Sequence, residues 1–202
     1  MSGIARVLMN LGYLVTGSDL KPSDTTRELS KMGAKIFKGH SAANIDAANV
    51  VVVSSAVSET NPEVREAKRK GVVVVPRAEM LAELMRLKYS VAVAGTHGKT
   101  STTSLIGCIC DRAGLDPTLI IGGKVNSLSS NARLGRGDYL IAEADESDRS
   151  FLKLAPTISV ITNINQDHME NYVDFADMQK SYVEFANKVP FYGAVIACSA
   201  HP

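Results

Sequence analysis

The chain has 202 residues, room for one large domain or two small ones, and 45% of them are hydrophobic, the level of a folded protein rather than a disordered one. Lysine and arginine total 22 against 21 for aspartate and glutamate, so no global field favours nucleic acid, an anionic membrane or acidic substrates, and binding has to come from a local site. The longest apolar runs, such as Val50–Val53 and Val72–Val75, are far too short to cross a bilayer, and no charged-then-apolar leader opens the chain, which points to the cytoplasm.

Taken in chain order, Ile4, Val7, Leu8 and Leu11 follow the spacing of an amphipathic helix that Gly12 stops. A strand is expected over Tyr13–Ser18, closed by Asp19, then a helix opened by a Thr25-x-x-Glu28 capping pattern and closed by Gly33. Ala34–Phe37 reads as a second strand and Val50–Val53 as a third. The next helix has Asn61 as its cap, Pro62 at its first position and Lys68-Arg69-Lys70 in its last turn, and Gly71 ends it before strand Val72–Val75. Uniformly apolar strands alternating with capped helices predict α/β architecture, a Rossmann-like parallel sheet covered on both faces. In that layout a strand and a Gly-rich turn precede the first helix, and neither stands before residue 1 here.

Helix Ala78–Leu87 leads to strand Ser90–Ala94, where the strand-loop-helix order restarts, so a domain boundary is expected near Lys88, with domains over 1–88 and 89–202. The second part reads as a helix from Lys99 to about Arg112, strand Thr118–Ile121, a Gly/Asn/Ser-rich loop to Gly137, strands Tyr139–Ala142 and Thr157–Thr162, helix Asp174–Val189 and strand Ala194–Cys198. Cys108 and Cys110 lie two apart in the expected helix and Cys198 in an apolar run. No metal or redox spacing results, and buried thiols are expected.

The strongest chemical signal is Gly95-Thr96-His97-Gly98-Lys99-Thr100-Ser101, which follows the apolar strand and opens a helix. Glycines let the backbone curl so that several N–H groups face one anion, and the helix N-terminus adds its dipole. Lys99 would reach the β and γ phosphates of ATP, and Thr100 would offer its hydroxyl to magnesium. The general phosphate loop has a glycine five residues before Gly98, where this chain has Val93, so the loop is a shorter variant. A plain tight turn does not explain a Gly-Lys-Thr placed at a helix start.

Strand Tyr139–Ala142 opens into Glu143-Ala144-Asp145-Glu146-Ser147-Asp148, which sets carboxylates at the carboxyl end of a strand, and Glu143 at its tip could complete the magnesium site of Thr100. Taken alone, such a run is a solvated loop. Strand Thr157–Thr162 delivers Asn163 through His168 to the same edge, where Asp167 and His168 could hold a second metal or orient a phosphate, with Asp167 as a helix cap the plainer alternative. Asp19, His40, Ser54 and Ser55 follow strands of the first half, where doubly wound sheets bind nucleotides. Turn formation by the serines and a plain surface histidine stand beside that reading.

These three clusters, in this order and spacing, resemble the Mur ligases of bacterial peptidoglycan synthesis. Gly122-Gly123-Lys124-Val125-Asn126, Asn131-Ala132-Arg133, Arg77 through Leu84 and Pro190-Phe191-Tyr192-Gly193 resemble the branch that joins L-alanine to UDP-N-acetylmuramate. The resemblance covers essentially the whole chain. It implies a Rossmann-like domain for the UDP-sugar followed by part of a central ATPase domain, and an ATP- and Mg2+-dependent reaction through an acyl phosphate. It also implies that Lys99, Glu143 and His168 are catalytic, that Gly95 through Ser101 bind ATP, and that Thr100 and Glu143 hold one magnesium and His168 a second. Asp19, His40, Ser54, Ser55, Asn126, Asn131 and Arg133 would line the UDP-sugar. The partners implied are small molecules, with neither nucleic acid nor membrane.

Against the family pattern, the chain starts at the tail of the opening Gly-rich motif, Met1-Ser2-Gly3, and stops within the central domain. Arg149 stands where a small residue is usual, and Ser199-Ala200-His201 where acids are usual. Loss of an interior strand should open a seam in the first sheet, at roughly 1–3 kcal/mol for each buried group left unpaired. The isolated chain is therefore expected to bind ATP weakly and not to ligate alanine. Three other readings stand beside this one. One is the related ligase that attaches a ready-made peptide to the same sugar, against which Ser147 speaks because that branch carries an aromatic residue there. Another is a non-catalytic nucleotide-binding module or truncated gene product. The third is a P-loop kinase or GTPase, which the acidic loop and Asp167-His168 fit poorly.

Overall fold

The computed structural model describes residues 1–122 and 132–199. The chain divides into two compact units, Met1–Met80 and Leu81–Pro202. The first runs α1 (Ser2–Asn10), β1 (Thr16–Asp19), α2 (Asp24–Lys31), β2 (Lys35–Lys38), a 3-10 helix (Ala42–Ile45), β3 (Val50–Val53), α3 (Pro62–Lys70) and β4 (Val73–Pro76). Asn61 caps α3 through its side chain and Gly71 closes it in the left-handed conformation, φ +71°, as the residue pattern predicts. Helix α2 is capped differently from expectation. Ser23, not Thr25, accepts from Thr26 N–H at 3.2 Å, while Thr26 Oγ1 accepts from Ser23 N–H at 2.8 Å. Ser23 sits in extended backbone, φ −133° and ψ 168°, and exchanges side-chain and backbone bonds with Thr26 as a capping box does.

Strands β1 and β2 pair in parallel, as do β3 and β4, but no ladder joins the two pairs among the described residues. The expected sheet is thus split. The valines of β3 and β4 stay partly open, Val50 at 40% and Val73 at 61% exposure, where a continuous sheet between helices would bury them.

The second unit holds β5 (Tyr89–Ala94), α5 (Lys99–Arg112), β6 (Thr118–Ile120), β7 (Ala132–Arg133), β8 (Tyr139–Glu143), a 3-10 helix (Ser150–Lys153), β9 (Ile158–Ile161), a second (Met169–Asn171), α6 (Phe175–Ala186) and β10 (Ala194–Ala197), after α4 (Arg77–Arg86), which crosses the unit boundary. Six strands form one sheet in the order β10-β9-β5-β8-β6-β7, parallel except for β7. That short strand lies inside the stretch the sequence reads as loop. Two residues are too few to leave a periodic signal.

Val91, Leu119 and Ile141 form the core beneath α5, and Ile106 and Cys110 pack on them. The helix comes so close that a Cβ on Gly107 would meet Leu119 at 2.7 Å. On the other face, Phe151 stacks within 5.2 Å of Tyr182 and 5.1 Å of Phe185, and anchors α6. The cysteines depart from expectation: Cys108 and Cys198 are exposed and only Cys110 is partly covered. Cys108 sits on the outward face of α5 beside Leu105 and Ile109, 63% and 66% exposed, and Cys198 follows β10, an edge strand that is open throughout. Among the described residues no helix is long and apolar enough to cross a membrane.

Candidate active site

Strand β5 lies between β8 and β9, so the loops leaving these three neighbours emerge at one edge of the sheet. Val93 is in register with Glu143, and Ala94 with Ile161. The sequence therefore spreads over some 75 residues what the sheet gathers at one place.

The loop after β5 is pinned from the β9 side. Thr96 N–H donates to Asn163 O at 3.1 Å, His97 N–H to Asn163 Oδ1 at 3.0 Å, and Asn163 Nδ2 to His97 O at 2.9 Å. Thr162 Oγ1 donates to His97 O at 2.7 Å, and Asn165 N–H to Thr96 Oγ1 at 2.9 Å. Gly95 adopts φ +133°, and a Cβ there would lie 2.0 Å from Thr162 Oγ1, so only glycine fits. Gly98, at φ +82°, turns the chain into α5. The helix starts at Lys99 and leaves its first N–H groups directed at the loop mouth.

Lys99 donates to Gly95 O at 2.7 Å, Thr96 O at 3.2 Å and Glu146 Oε1 at 2.9 Å. Nζ also lies 2.8 Å from Glu146 Oε2, so the ion pair involves both carboxylate oxygens. Glu146 is 1% exposed. Burial pushes its carboxyl above the usual carboxylate range, against the opposing pull of Lys99. The acidic loop is held by Tyr172, whose hydroxyl donates to Glu146 O at 2.6 Å, and by Arg149, which reaches Asp177 at 2.7 Å and Ser181 at 2.9 Å. Burial raises the Tyr172 phenol to about 12. Burial, with the charge of Glu146 next, also pushes Tyr182 up. Arg149 takes a left-handed φ of +60°.

Glu143 ends β8. Its Oε2 accepts from Gly122 N–H at 2.9 Å, while Oε1 is buried without a partner. Thr100 is exposed on the first turn of α5. His168 is exposed, at φ +54°, and opens the 3-10 turn after the β9 loop, with its N–H on Asp167 Oδ1 at 2.9 Å. Among the described residues no three His, Cys, Asp or Glu side chains converge as a metal cluster.

In the first unit, Asp19 ends β1 and accepts from Lys21 N–H at 3.0 Å. His40 Nδ1 lies 2.8 Å from Ser18 Oγ and 3.2 Å from Glu63 Oε2, and Ser18 Oγ donates to Glu63 at 2.6 Å. Asn44 Nδ2 donates to the other Glu63 oxygen at 2.7 Å. Serine and carboxylate both meet the same ring nitrogen, so this is no nucleophilic relay, which needs them on opposite nitrogens. Ser54 and Ser55 follow β3, and Ser54 O accepts from Val57 N–H in a turn. Arg133, in β7, donates to Asp111 at 2.8 Å and Asp116 at 2.6 Å. Asn126 and Asn131 lie outside the described residues.

Comparison with known proteins decides the family. The Mur ligase family catalytic-domain model matches residues 1–89, and the Mur ligase middle-domain model matches residues 93–202. The chain belongs to the Mur ligase family. Over all 202 residues it is 57% identical to a UDP-N-acetylmuramate–L-alanine ligase of Acidobacterium capsulatum, covering 44% of that protein. It is 59% identical over 198 residues to the protein of that name from Geobacter sp. strain M21, covering 98% of this chain and 43% of the relative. Among solved structures it superposes on the UDP-N-acetylmuramate–alanine ligase of Thermotoga maritima with a TM-score of 0.88 at 29% identity, over 100% of this chain and 47% of that one. On a UDP-N-acetylmuramate:L-alanyl-gamma-D-glutamyl-meso-diaminopimelate ligase from Neisseria meningitides the TM-score is 0.89 at 26% identity, covering 98% of this chain and 68% of that one. The chain thus spans less than half the length of the curated Mur ligases it matches.

Sequence reasoning passed over Glu146, Thr162 and Asn163 as individual contributors to this Mur ligase site. A polar Thr-Asn pair ending an apolar strand is a detectable signal for the last two. For Glu146 there was none: of four acids in six residues, only the fold shows which one turns inward.

Proposed function

We propose that this chain carries the UDP-sugar-binding part, over residues 1–88, and the ATP-binding part, over residues 89–202, of a cytoplasmic ligase that joins L-alanine to UDP-N-acetylmuramate. The observation that carries this reading is the glycine loop at the carboxyl end of β5, flanked by the acidic loop of β8 and the Asn163–His168 loop of β9. The 57% and 59% identities to relatives of that name support L-alanine over the peptide-attaching alternative, as does Ser147.

In this reaction the γ-phosphoryl group of ATP moves to the muramyl carboxylate and ADP leaves. The amine of L-alanine then attacks the acyl phosphate, forming the amide and releasing phosphate. Two anions must meet, so positive charge and fixed N–H donors have to be in place beforehand. Residues 95–101 would enclose the phosphates with their N–H groups, and Lys99 would carry the cation to them. The buried, partnerless Oε1 of Glu143 fits a hard cation, because an orphan carboxylate oxygen calls for a ligand. Thr100, Glu143 and His168 would hold magnesium, which supplies charge against the phosphate oxygens. Asp19, His40, Ser54 and Ser55, with Asn126, Asn131 and Arg133, would bind the UDP-sugar. His40 is held through Nδ1, and its Nε2 would serve that ligand.

Calorimetric titration with magnesium and a non-hydrolysable ATP analogue tests this: the wild-type chain should bind and Lys99→Met should not. Equal binding by both would refute the role given to the loop.

A further inference from the structure

The ammonium group of Lys99 has no proton to spare. It carries three N–H donors, and they go to Gly95 O, Thr96 O and the Glu146 carboxylate, whose Oε1 and Oε2 lie 2.9 and 2.8 Å from Nζ. A phosphate gains Lys99 only by displacing one of them. Two are neutral carbonyls of the loop itself. The third is a carboxylate on a different loop, 1% exposed. Its main chain is fixed, because Glu146 O accepts from both Tyr172 Oη and Arg149 N–H, so the carboxylate leaves Lys99 only by rotation of its own side chain.

We propose that Glu146 competes with the nucleotide for Lys99, holding the lysine in the empty loop and opposing incoming phosphate charge, and so sets nucleotide affinity below what the loop alone would give. This rests on residues 95–101 being a phosphate loop. The carboxylate is not needed to shape that loop, since Thr162, Asn163 and Asn165 hold its backbone from the other side. Glu146 acts through Lys99 rather than on the reacting atoms. After turnover its recapture of Lys99 favours departure of the spent nucleotide.

The test uses the whole chain, wild type and Glu146→Gln, which keeps size and an acceptor oxygen but removes the charge. Titration with magnesium and the non-hydrolysable ATP analogue should show the variant binding about tenfold more tightly, equivalent to about 1.4 kcal/mol. A purely structural role predicts weaker binding. A second readout needs no nucleotide: amine acetylation followed by mass spectrometry should modify Lys99 several-fold more slowly than the exposed Lys31 in the wild type. Glu146→Gln should speed that modification, as should Glu146→Asp, which withdraws the carboxylate by one methylene. Folded Glu146→Gln that binds no tighter than wild type overturns the competition, and so does wild-type Lys99 that labels as fast as Lys31. Absence of binding by wild type and variant alike overturns the phosphate-loop reading itself. If Glu146→Gln loses its near-UV circular dichroism, labelling of the wild type and of Glu146→Asp decides, and unchanged labelling in the latter refutes the proposal.

Discussion

Replacement of Gly95 by alanine should damage the loop by more than its one added methyl group suggests. The new Cβ would sit 2.0 Å from Thr162 Oγ1 and 3.1 Å from both the N and the O of Asn163, at φ +133°. Backbone in that region costs a non-glycine residue about 1–3 kcal/mol. Moving Thr162 aside also sacrifices its hydrogen bond to His97 O at 2.7 Å, about 1 kcal/mol more. The sum, about 2–4 kcal/mol, should lower the thermal midpoint of the second unit by about 10 °C and weaken binding of the ATP analogue. Thr162→Ala in the same chain removes the side-chain clash but neither the strained φ nor the Asn163 contacts. Differential scanning calorimetry of both single variants and the double variant should therefore show partial rescue. A Gly95→Ala melt and affinity equal to wild type would refute the reasoning, and complete rescue by Thr162→Ala would show that backbone strain plays no part.

Asn163→Ala removes two hydrogen bonds to His97, so the analogue should bind about tenfold more weakly, with little change in the melting midpoint; a large global destabilisation would contradict this local role. Lys99→Met leaves Glu146 buried without its partner and should cost about 3 kcal/mol, most of it recovered in Lys99→Met/Glu146→Leu; additive losses in urea denaturation would refute that coupling. Asp177 is held below the ordinary Asp value of 3.8 first by Val173 N–H and then by Arg149. A depressed carboxyl contributes stability that is present above its unfolded value and lost as pH falls through the folded one. Asp177→Asn should thus destabilise the chain at neutral pH and flatten the loss of stability below about pH 4, and an unchanged acid melting profile would count against the Arg149–Asp177 clamp.

Local signals made much of the fold legible. Asn61-Pro62 and Gly71 bounded α3, and the start of α5 at Lys99 was legible because it is set by Gly98 and the loop before it. At α2 the Thr25-x-x-Glu28 pattern pointed two residues too far along, because Ser23 is the residue in extended backbone whose side chain reaches the Thr26 N–H. Burial of the cysteines was misjudged for another reason. Apolar type predicts burial only where a partner surface exists, and the outward face of α5 and the edge strand β10 have none among the described residues.

The amino-acid sequence by itself determined that a glycine loop joins an apolar strand to a helix, that acidic and Asx/His clusters follow strands, and which family the chain belongs to, because those features depend on residue type and spacing along the chain. Only the tertiary structure decided which side chains meet. The order β9-β5-β8 brings Asn163 and Glu146 to opposite sides of one loop, though they stand 64 and 47 residues beyond Lys99 in the chain. Which acid turns inward to hold the lysine depends on the path of a loop fixed by Tyr172 and Arg149, and those contacts are long-range, so no local pattern encodes them.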